Sequence, residues 1–237
     1  MENLIRPETY KKSFELFSVQ HVLTLCVIGL LALLLVIYRR GLRTPGWKSS
    51  IRYTLAAILV ISEISYQIWT ISFGKWALRS SLPIQVSDLA VLLAAIMLIT
   101  KSYRLFSLLY FAGIGSSIQA LLTPDLGSYA FPHFRYIEFF SAHGCMILSC
   151  LYMIVVEGYR PRYQSLWFTF LILNVYGAGI FFFDWLTDAN YLYLMRKPSA
   201  SLLNFLGPWP WYLLSLEVVT LLIFHFLYLL LKIRPKC

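Results

Sequence analysis

A hydroxyl and an imidazole, those of Ser87 and His143, are the groups best suited to catalysis in this chain of 237 residues. Both residues lie in strongly apolar stretches, where a polar side chain must face protein or water because lipid solvates it poorly. A histidine beside a serine can accept the serine proton while the oxygen attacks a carbonyl carbon, which is the minimal arrangement for acyl transfer. Gly144 follows His143, and we expect this small residue to let backbone or ligand approach closely. Spacing alone leaves a Ser–His pair as one hypothesis among several.

Ser87 belongs to a stretch, residues 81–88, that opens an apolar run ending at Thr100. Pro83 suits the first turn of a helix, because the N–H groups there have no helical partner. Gln85, Ser87 and Asp88 follow inside the run, where a lipid-exposed carboxylate would cost about 2.5–3.5 kcal/mol or more. We interpret this helix end as the wall of a polar pocket. Asp88 alternatively serves as a helix N-terminal carboxylate that the helix dipole favours.

The composition indicates a membrane protein, since 59% of residues are hydrophobic, 13% are charged and the mean hydropathy is +0.69. The net charge is +9, but the basic residues are spread over short connections. A nucleic-acid site would gather them on one soluble face, so we expect no nucleic-acid partner. The cysteines, Cys26, Cys145, Cys150 and Cys237, form no CxxC pair and are expected to be structural thiols.

Seven apolar runs approach the ~20 residues that cross a bilayer, which predicts an all-α, polytopic protein with seven transmembrane helices. The connections are too short for a soluble domain, so residues 1–237 are expected to form one membrane domain. The predicted spans are 18–38, 51–73, 82–100, 103–123, 137–157, 165–185 and 211–231.

Counting Lys and Arg predicts the orientation of these spans. With the N-terminus outside and the C-terminus inside, twelve basic residues fall on the inner side and eight on the outer side. We therefore expect a multi-pass protein of the cell (plasma) membrane with this orientation. Ser87 then lies roughly 7 Å and His143 roughly 9 Å below the predicted outer ends of their helices.

Further polar residues fall in the outer half of the predicted bundle, whereas the inner half has almost none beyond His225. One-sided placement of this kind favours a functional cavity that opens outward. His21 and Asp184 are alternatively interfacial anchors, and His225 is expected to be a packing residue. The other polar residues of the outer half have a structural alternative to a role in the cavity, either an interhelical hydrogen bond or packing. These residues are Glu63, Gln67, Gln119 and Glu217.

Several motifs along nearly the whole chain resemble one family. They are residues 17–21, 82–88, 119–125, 131–135, 142–144, 190–194 and the segment from 196 to 211. On these motifs the chain resembles the YwaF-type bacterial integral membrane proteins. Those proteins are similar to a eukaryotic seven-helix acyltransferase of ether phospholipids and, more distantly, to androgen-induced membrane hydrolases of fatty-acid esters.

The resemblance implies that Ser87 is the nucleophile and His143 its partner. Family members commonly read Leu-Pro-Leu-His-Leu-Cys-Asp where this chain has Leu82-Pro83-Ile84-Gln85-Val86-Ser87-Asp88. A serine thus stands in place of a cysteine, and Gln85 in place of a histidine. Serine needs a base more than cysteine does, because a thiol is partly ionised at neutral pH.

The leading hypothesis is a lipid acyltransferase or acyl hydrolase whose Ser87–His143 pair faces the outer leaflet. Gln85, Gln119 or backbone N–H groups would stabilise the oxyanion. Arg135, Arg196 and Lys197, expected on outer loops, suit the head group of a phospholipid or lysophospholipid. No metal or organic cofactor is needed, and His21, Glu63, His143 and Glu217 lack metal-ligand spacing.

The alternative hypothesis is a catalytically inactive lipid-binding or regulatory membrane protein on the same scaffold. Both hypotheses use one pocket and differ in whether Ser87 acquires an acyl group. A transporter is less consistent with the sequence, because it would place polar residues on both sides of the midplane. The oligomeric state is left open by the sequence.

Overall fold

The computed structural model describes residues 4–7, 12–197 and 205–232, and within these residues the protein is helical with no β-strand. In this part of the chain six helices are long and apolar enough to cross a membrane, and a seventh apolar helix is shorter. The prediction of an all-α membrane protein is therefore confirmed. Cys237, Pro198 and the basic residues Lys11, Arg234 and Lys236 lie outside the described residues. The helices are α1 (Val19–Ile37), α2 (Pro45–Ser72), α3 (Val86–Thr100), α4 (Tyr103–Leu122), α5 (Phe134–Val155), α6 (Tyr163–Thr187) and α7 (Trp211–Lys232).

Several helix starts differ from the sequence prediction, and two of them concern the helices that carry the candidate catalytic residues. Helix α3 begins at Val86 rather than at residue 82, because Gln85 has the extended backbone of an N-cap (φ −64°, ψ 148°). Pro83 therefore lies before the helix and not in its first turn. Helix α5 begins at Phe134 rather than at residue 137, because the His133 ring caps it by accepting a hydrogen bond from Arg135 N at 3.0 Å. The depths predicted for Ser87 and His143 were counted from residues 82 and 137, and both of these helix starts are wrong.

Helix α5 lies at the centre of the bundle and is the most buried of the spans. It packs against α1, α2, α3 and α4, and its Met146 and Met153 are fully buried. Helices α1, α6 and α7 are peripheral and expose long apolar faces, as expected of surfaces that contact lipid tails. The molecule is therefore a packed core of α2–α5 with three helices around it.

Helix α4 contains one irregular turn, a π turn over Leu109–Gly113. Such turns insert an extra residue into a helix and are frequent at functional sites. A side chain at Gly113 would collide with the methyl end of Met146 in α5. Glycine at this position thus lets the irregular turn of α4 approach α5 closely.

The end of the bundle opposite the start of α3 is held by arginines that bind helix C-termini. Arg52 donates to Leu98 O at 3.1 Å, and Arg43 donates to Val155 O at 2.9 Å. The last carbonyls of a helix lack intrahelical partners and carry the negative end of the helix dipole. Arg43 and Arg52, which were counted as orientation signals in the sequence, therefore also cap the C-termini of α3 and α5.

Glu157 lies just after α5 at the same end, and only 7% of its side chain is exposed. Its oxygens lie 2.8 Å from Lys48 Nζ and 3.3 Å from Lys101 Nζ, and Tyr152 Oη donates to Oε1 at 3.2 Å. Burial favours a raised pKa, but the hydrogen bonds and charges of the two lysines outweigh it and lower the pKa of Glu157. Glu157 thereby links the ends of α2, α3 and α5.

We expect Glu157→Gln to lower the free energy of unfolding by roughly 1–2 kcal/mol, since both lysines keep partial access to water. A lowered folded-state pKa stabilises the protein above the unfolded pKa of about 4.3, and this contribution is lost as the pH falls through the folded value. Thermal unfolding in detergent should therefore show a deficit for the variant at neutral pH that shrinks on acidification. The exposed Glu15→Gln is the control, and a deficit independent of pH would contradict this account.

Candidate functional site

A cavity of about 720 Å³ is lined by residues of α2 to α7, within the size range of small-molecule and lipid sites. Helices α2 and α4 line it with residues of their C-terminal halves, α3 and α5 with residues of their N-terminal halves, and α7 with residues from Leu213 to Phe224. Consecutive helices run in opposite directions, so these contributions meet at one end of the bundle. The lining residues named from the sequence are Glu63, Gln67, Gln85, Ser87, Asp88, Gln119, Arg135, His143 and Glu217.

His143 is the tenth residue of α5 and only 3% exposed, yet it lines the cavity. The Phe139 ring lies edge-on to the imidazole, with 4.3 Å between the ring centroids. Its Nδ1 is buried and has no hydrogen-bond partner among the described residues. An unpaired buried nitrogen is costly, so a partner from a ligand would lower the free energy of the complex.

Gly144 has a structural role that the sequence did not reveal. A Cβ at this position would lie 3.1 Å from Cδ1 of Ile28 in α1, tighter than ordinary packing. The glycine therefore lets α1 approach α5 closely. The structure places the Ile28 side chain against this position, rather than the backbone or ligand expected from the sequence.

Ser87 is the second residue of α3 and lines the same cavity. Its hydroxyl donates to Asp88 Oδ1 at 3.4 Å, and no hydrogen bond joins it to His143 in the described chain. The N–H groups in the first turn of α3 have no intrahelical partners and carry the positive end of the helix dipole. Asp88 lies in that first turn, which agrees with its alternative interpretation as a dipole-stabilised carboxylate.

Arg135 lies in the first turn of α5, so the prediction that it occupies an outer loop is wrong. Its guanidinium forms an ion pair with Glu138, and the two side chains are 19% and 6% exposed. The guanidinium carbon lies 4.2 Å from the Tyr66 ring centroid and 5.1 Å from that of Phe139. These contacts join α5 to α2 and place a paired, stacked cation on the cavity wall.

The other two residues expected to bind a head group lie elsewhere. Arg196 is 3.8 Å from the exposed Asp188, and the Lys197 ammonium donates to Gly207 O. Neither residue lines the cavity. The structure therefore does not bring Arg135, Arg196 and Lys197 together into one phosphate site.

Several polar residues of the cavity wall hold structural elements together. Gln85 Oε1 accepts from Leu192 N at 2.9 Å, which attaches the start of α3 to the connection before α7. Gln67 Nε2 donates to Glu63 Oε1 at 2.8 Å and to Ser81 O at 3.1 Å. These bonds support the structural interpretation of Gln67. The Gln119 side chain is exposed and lines the cavity on α4.

Glu217 joins the two peripheral helices beside the cavity, because Asn174 Nδ2 of α6 donates to its Oε2 at 3.1 Å. This contact is the interhelical bond considered as one alternative from the sequence.

His21 is fully buried away from the cavity and is a packing residue. Its Nδ1 accepts from Phe17 N at 3.0 Å, and Nε2 lies 2.8 Å from Leu121 O, which ties α1 to α4. Asp184, at 1% exposure, is likewise buried and is not an interfacial anchor.

The cavity is acidic although the chain as a whole is basic. Five carboxylates line it against the single guanidinium of Arg135. A wall with this excess attracts cations and repels anions. Glu138 was not among the residues predicted for the site, although an i, i+3 pairing with Arg135 indicates it once both are assigned to one helix. The lining carboxylates are those of Glu63, Asp88, Asp125, Glu138 and Glu217.

The apolar spans define a multi-pass helical membrane protein. The model of the TMEM164 family matches residues 16–228, and the chain belongs to this family. Comparison with curated proteins finds no match, and comparison with solved structures finds none either. In the described residues no group of three or more His, Cys, Asp or Glu side chains has the geometry of a metal site.

The pair of Arg135 and Glu138 provides a stability test. We expect Arg135→Met to cost about 3–5 kcal/mol in free energy of unfolding, because it leaves a buried carboxylate unpaired. The double variant Arg135→Met/Glu138→Leu should recover much of that loss, since neither charge then remains. Thermal unfolding in detergent gives both values.

The control for this cycle is Arg79→Met, whose exposed pair with Asp188 should contribute less than about 1 kcal/mol. Additive losses in the double variant would show that the two side chains do not act as a pair.

Proposed function

We propose that this protein is a membrane-embedded lipid acyltransferase or acyl hydrolase, with Ser87 as nucleophile and His143 as base. The observation that carries the proposal is that both residues line one cavity, in which Nδ1 of the buried His143 has no partner among the residues that the structure describes. Membership of a multi-pass membrane family is consistent with a lipid substrate that enters from the bilayer. The resemblance of the 82–88 and 142–144 motifs to lipid acyltransferases supports the same chemistry.

The proposed reaction has two balanced steps. His143 accepts the Ser87 hydroxyl proton as Oγ bonds to the ester carbonyl carbon. The carbonyl–alkoxy bond then breaks, and the alkoxide leaves with the proton from His143. In the second step a lysolipid hydroxyl or water gives its proton to His143 as its oxygen bonds to the acyl carbon. The bond from that carbon to Ser87 Oγ then breaks, and His143 returns the proton to Oγ. No hydrogen bond joins the pair before a substrate binds, as is common in enzymes without ligand.

The position of Ser87 in the first turn of α3 adds a source of oxyanion stabilisation. The N–H groups of that turn have no intrahelical partners, and the helix dipole there favours negative charge. The side-chain amide nitrogens of Gln85 and Gln119 are further donors. One donor of this kind is worth about 2.7–4 kcal/mol in the transition state.

The acidic wall favours a phospholipid or lysophospholipid with a cationic amine in its head group. Glu63, Asp88 and Asp125 would attract an ammonium, whereas the Tyr66 ring is already covered by the Arg135 guanidinium. This assignment replaces the phosphate site expected from the arginines and lysine. The proposed orientation, with the cavity open to the outer leaflet of the plasma membrane, rests on the count of twelve inner and eight outer basic residues.

A second function, lipid binding without chemistry, is favoured by one observation. The Ser87 hydroxyl is bonded to Asp88 and not to His143. A lipid in the same cavity would then be held by the acidic wall and the apolar surface alone.

A serine-reactive fluorophosphonate separates the two functions. We expect the native protein in nanodiscs to be labelled on Ser87, and Ser87→Ala to lose all labelling. His143→Ala should slow labelling about a hundredfold or more, because the hydroxyl loses its base. The control is Ser65→Ala, a serine of α2 that bonds to Ser62 O away from the cavity.

Labelling that persists in Ser87→Ala, or that never occurs in native protein, would contradict the enzyme and leave the binding function. Ser87→Cys supplies the complementary result. A thiol at this position should react with a haloacetamide faster in the presence of His143 than in Ser87→Cys/His143→Ala.

A further inference from the structure

The cavity continues from its polar end into an apolar arm between α4, α6 and α7. The arm is lined on α6 from Phe181 to Phe170 and on α7 from Leu213 to Phe224. Eleven residues of helix separate the ends of each stretch, so the arm extends by roughly 16 Å along the helices. The polar groups on these two helices are few, and Glu217 and Asn174, in the middle part of the two stretches, bond to each other. The arm therefore suits an acyl chain better than a polar ligand.

The arm ends at a floor where α4 and α7 are fastened together. Tyr110 Oη donates to Leu227 O at 2.6 Å, a bond buried within the protein. The rings of Phe111 and Phe224 pack with centroids 5.4 Å apart, and both side chains are almost fully buried. The π turn of α4 contains Tyr110 and Phe111, so the irregular helix geometry is located at this floor.

Gly115 and Ile223 face each other just above the floor, and both line the cavity. A Cβ at Gly115 would lie 3.6 Å from Cγ2 of Ile223, an ordinary van der Waals distance. Alanine would therefore fit at position 115, whereas a longer side chain must extend into the arm or displace Ile223. The absence of a side chain at Gly115 keeps this part of the arm open.

We propose that the apolar arm binds the acyl tail of the lipid substrate, and that Gly115 and Ile223 set the longest tail it accepts. This inference rests on the proposed function, because it assigns the tail of the same substrate. The head of the lipid lies at the acidic wall, its ester lies between Ser87 and His143, and its tail extends along α6 and α7 to the floor. The contact between α4 and α7 thus limits the length of the acyl tail.

The first test uses two variants with opposite expected effects. Gly115→Leu should shorten the arm, and Ile223→Ala should lengthen it. With hexadecyl and butyl fluorophosphonates, the ratio of labelling rates at Ser87 should fall about tenfold or more in Gly115→Leu, since a few methylenes control such selectivity. In Ile223→Ala the preference should shift toward probes longer than hexadecyl. Gly179→Leu adds the same side chain to an exposed position of α6 outside the cavity and should leave the ratio unchanged.

The second test does not need a reaction at Ser87. In the Ser87→Ala background, a palmitoyl lysophosphatidylethanolamine with a diazirine at the end of its tail is photo-crosslinked to the protein in nanodiscs. We expect crosslinks in peptides that contain residues 111–115 and 223–224, and a loss of about tenfold in these crosslinks when Gly115→Leu is added. The matched control is Gly179→Leu.

The two tests distinguish failure of this inference from failure of the proposed function. If crosslinks form at the floor but Ser87 is never labelled, the tail site is supported and the proposed reaction is contradicted. Labelling of Ser87 with a chain-length ratio that neither variant changes would overturn the tail site and retain the chemistry. Crosslinks confined to the lipid-exposed faces of α1 and α6 would also overturn the tail site.

Discussion

The ion pair between Arg135 and Glu138 is the interaction on which the cavity depends. A guanidinium inside an apolar bundle needs both a counterion and contacts for its planar faces. Glu138 supplies the charge, and the Tyr66 and Phe139 rings cover the guanidinium. Because Tyr66 belongs to α2, the stacking contact also fixes the start of α5 against a neighbouring helix. The cavity wall is therefore built around a charge that is satisfied within the protein.

The two ends of the bundle differ in whether their charged groups are paired. At one end, arginines bind the C-terminal carbonyls of α3 and α5, and Glu157 joins two lysines. That end is closed, with charge paired against charge or against the helix dipole. At the other end the carboxylates exceed the cations and surround a cavity. Unbalanced charge is tolerated in a membrane domain where water or a ligand reaches it, which makes the acidic end the natural place for function.

The class of protein could be predicted from the sequence because apolar runs of spanning length are a strong signal. The polar residues at one end of the helices were also recognisable, since helices alternate in direction. The starts of α3 and α5 were not. Gln85, at the start of α3, accepts a bond from the distant Leu192 N, and the His133 ring that caps α5 packs against Trp69 of α2. Those starts decided where Ser87 and Arg135 lie.

Individual roles within the site required coordinates. Gly144 accommodates Ile28 and His21 bonds to Leu121 O, contacts between segments that are distant in sequence. The floor of the apolar arm involves Tyr110 and Leu227, whose bond no sequence pattern indicates. Glu138 was missed because its position was read as part of an apolar run and not as the partner of Arg135.

The central claim is that an acyl group passes through the oxygen of Ser87. The most direct measurement incubates the native protein in nanodiscs with a phosphatidylethanolamine that carries an isotope-labelled acyl chain, quenches with acid and analyses the peptides by mass spectrometry. This account predicts labelled acyl ester on the peptide that contains Ser87, and none in His143→Ala. Absence of the adduct while free labelled fatty acid still accumulates, or an adduct on another hydroxyl of the cavity, would contradict it.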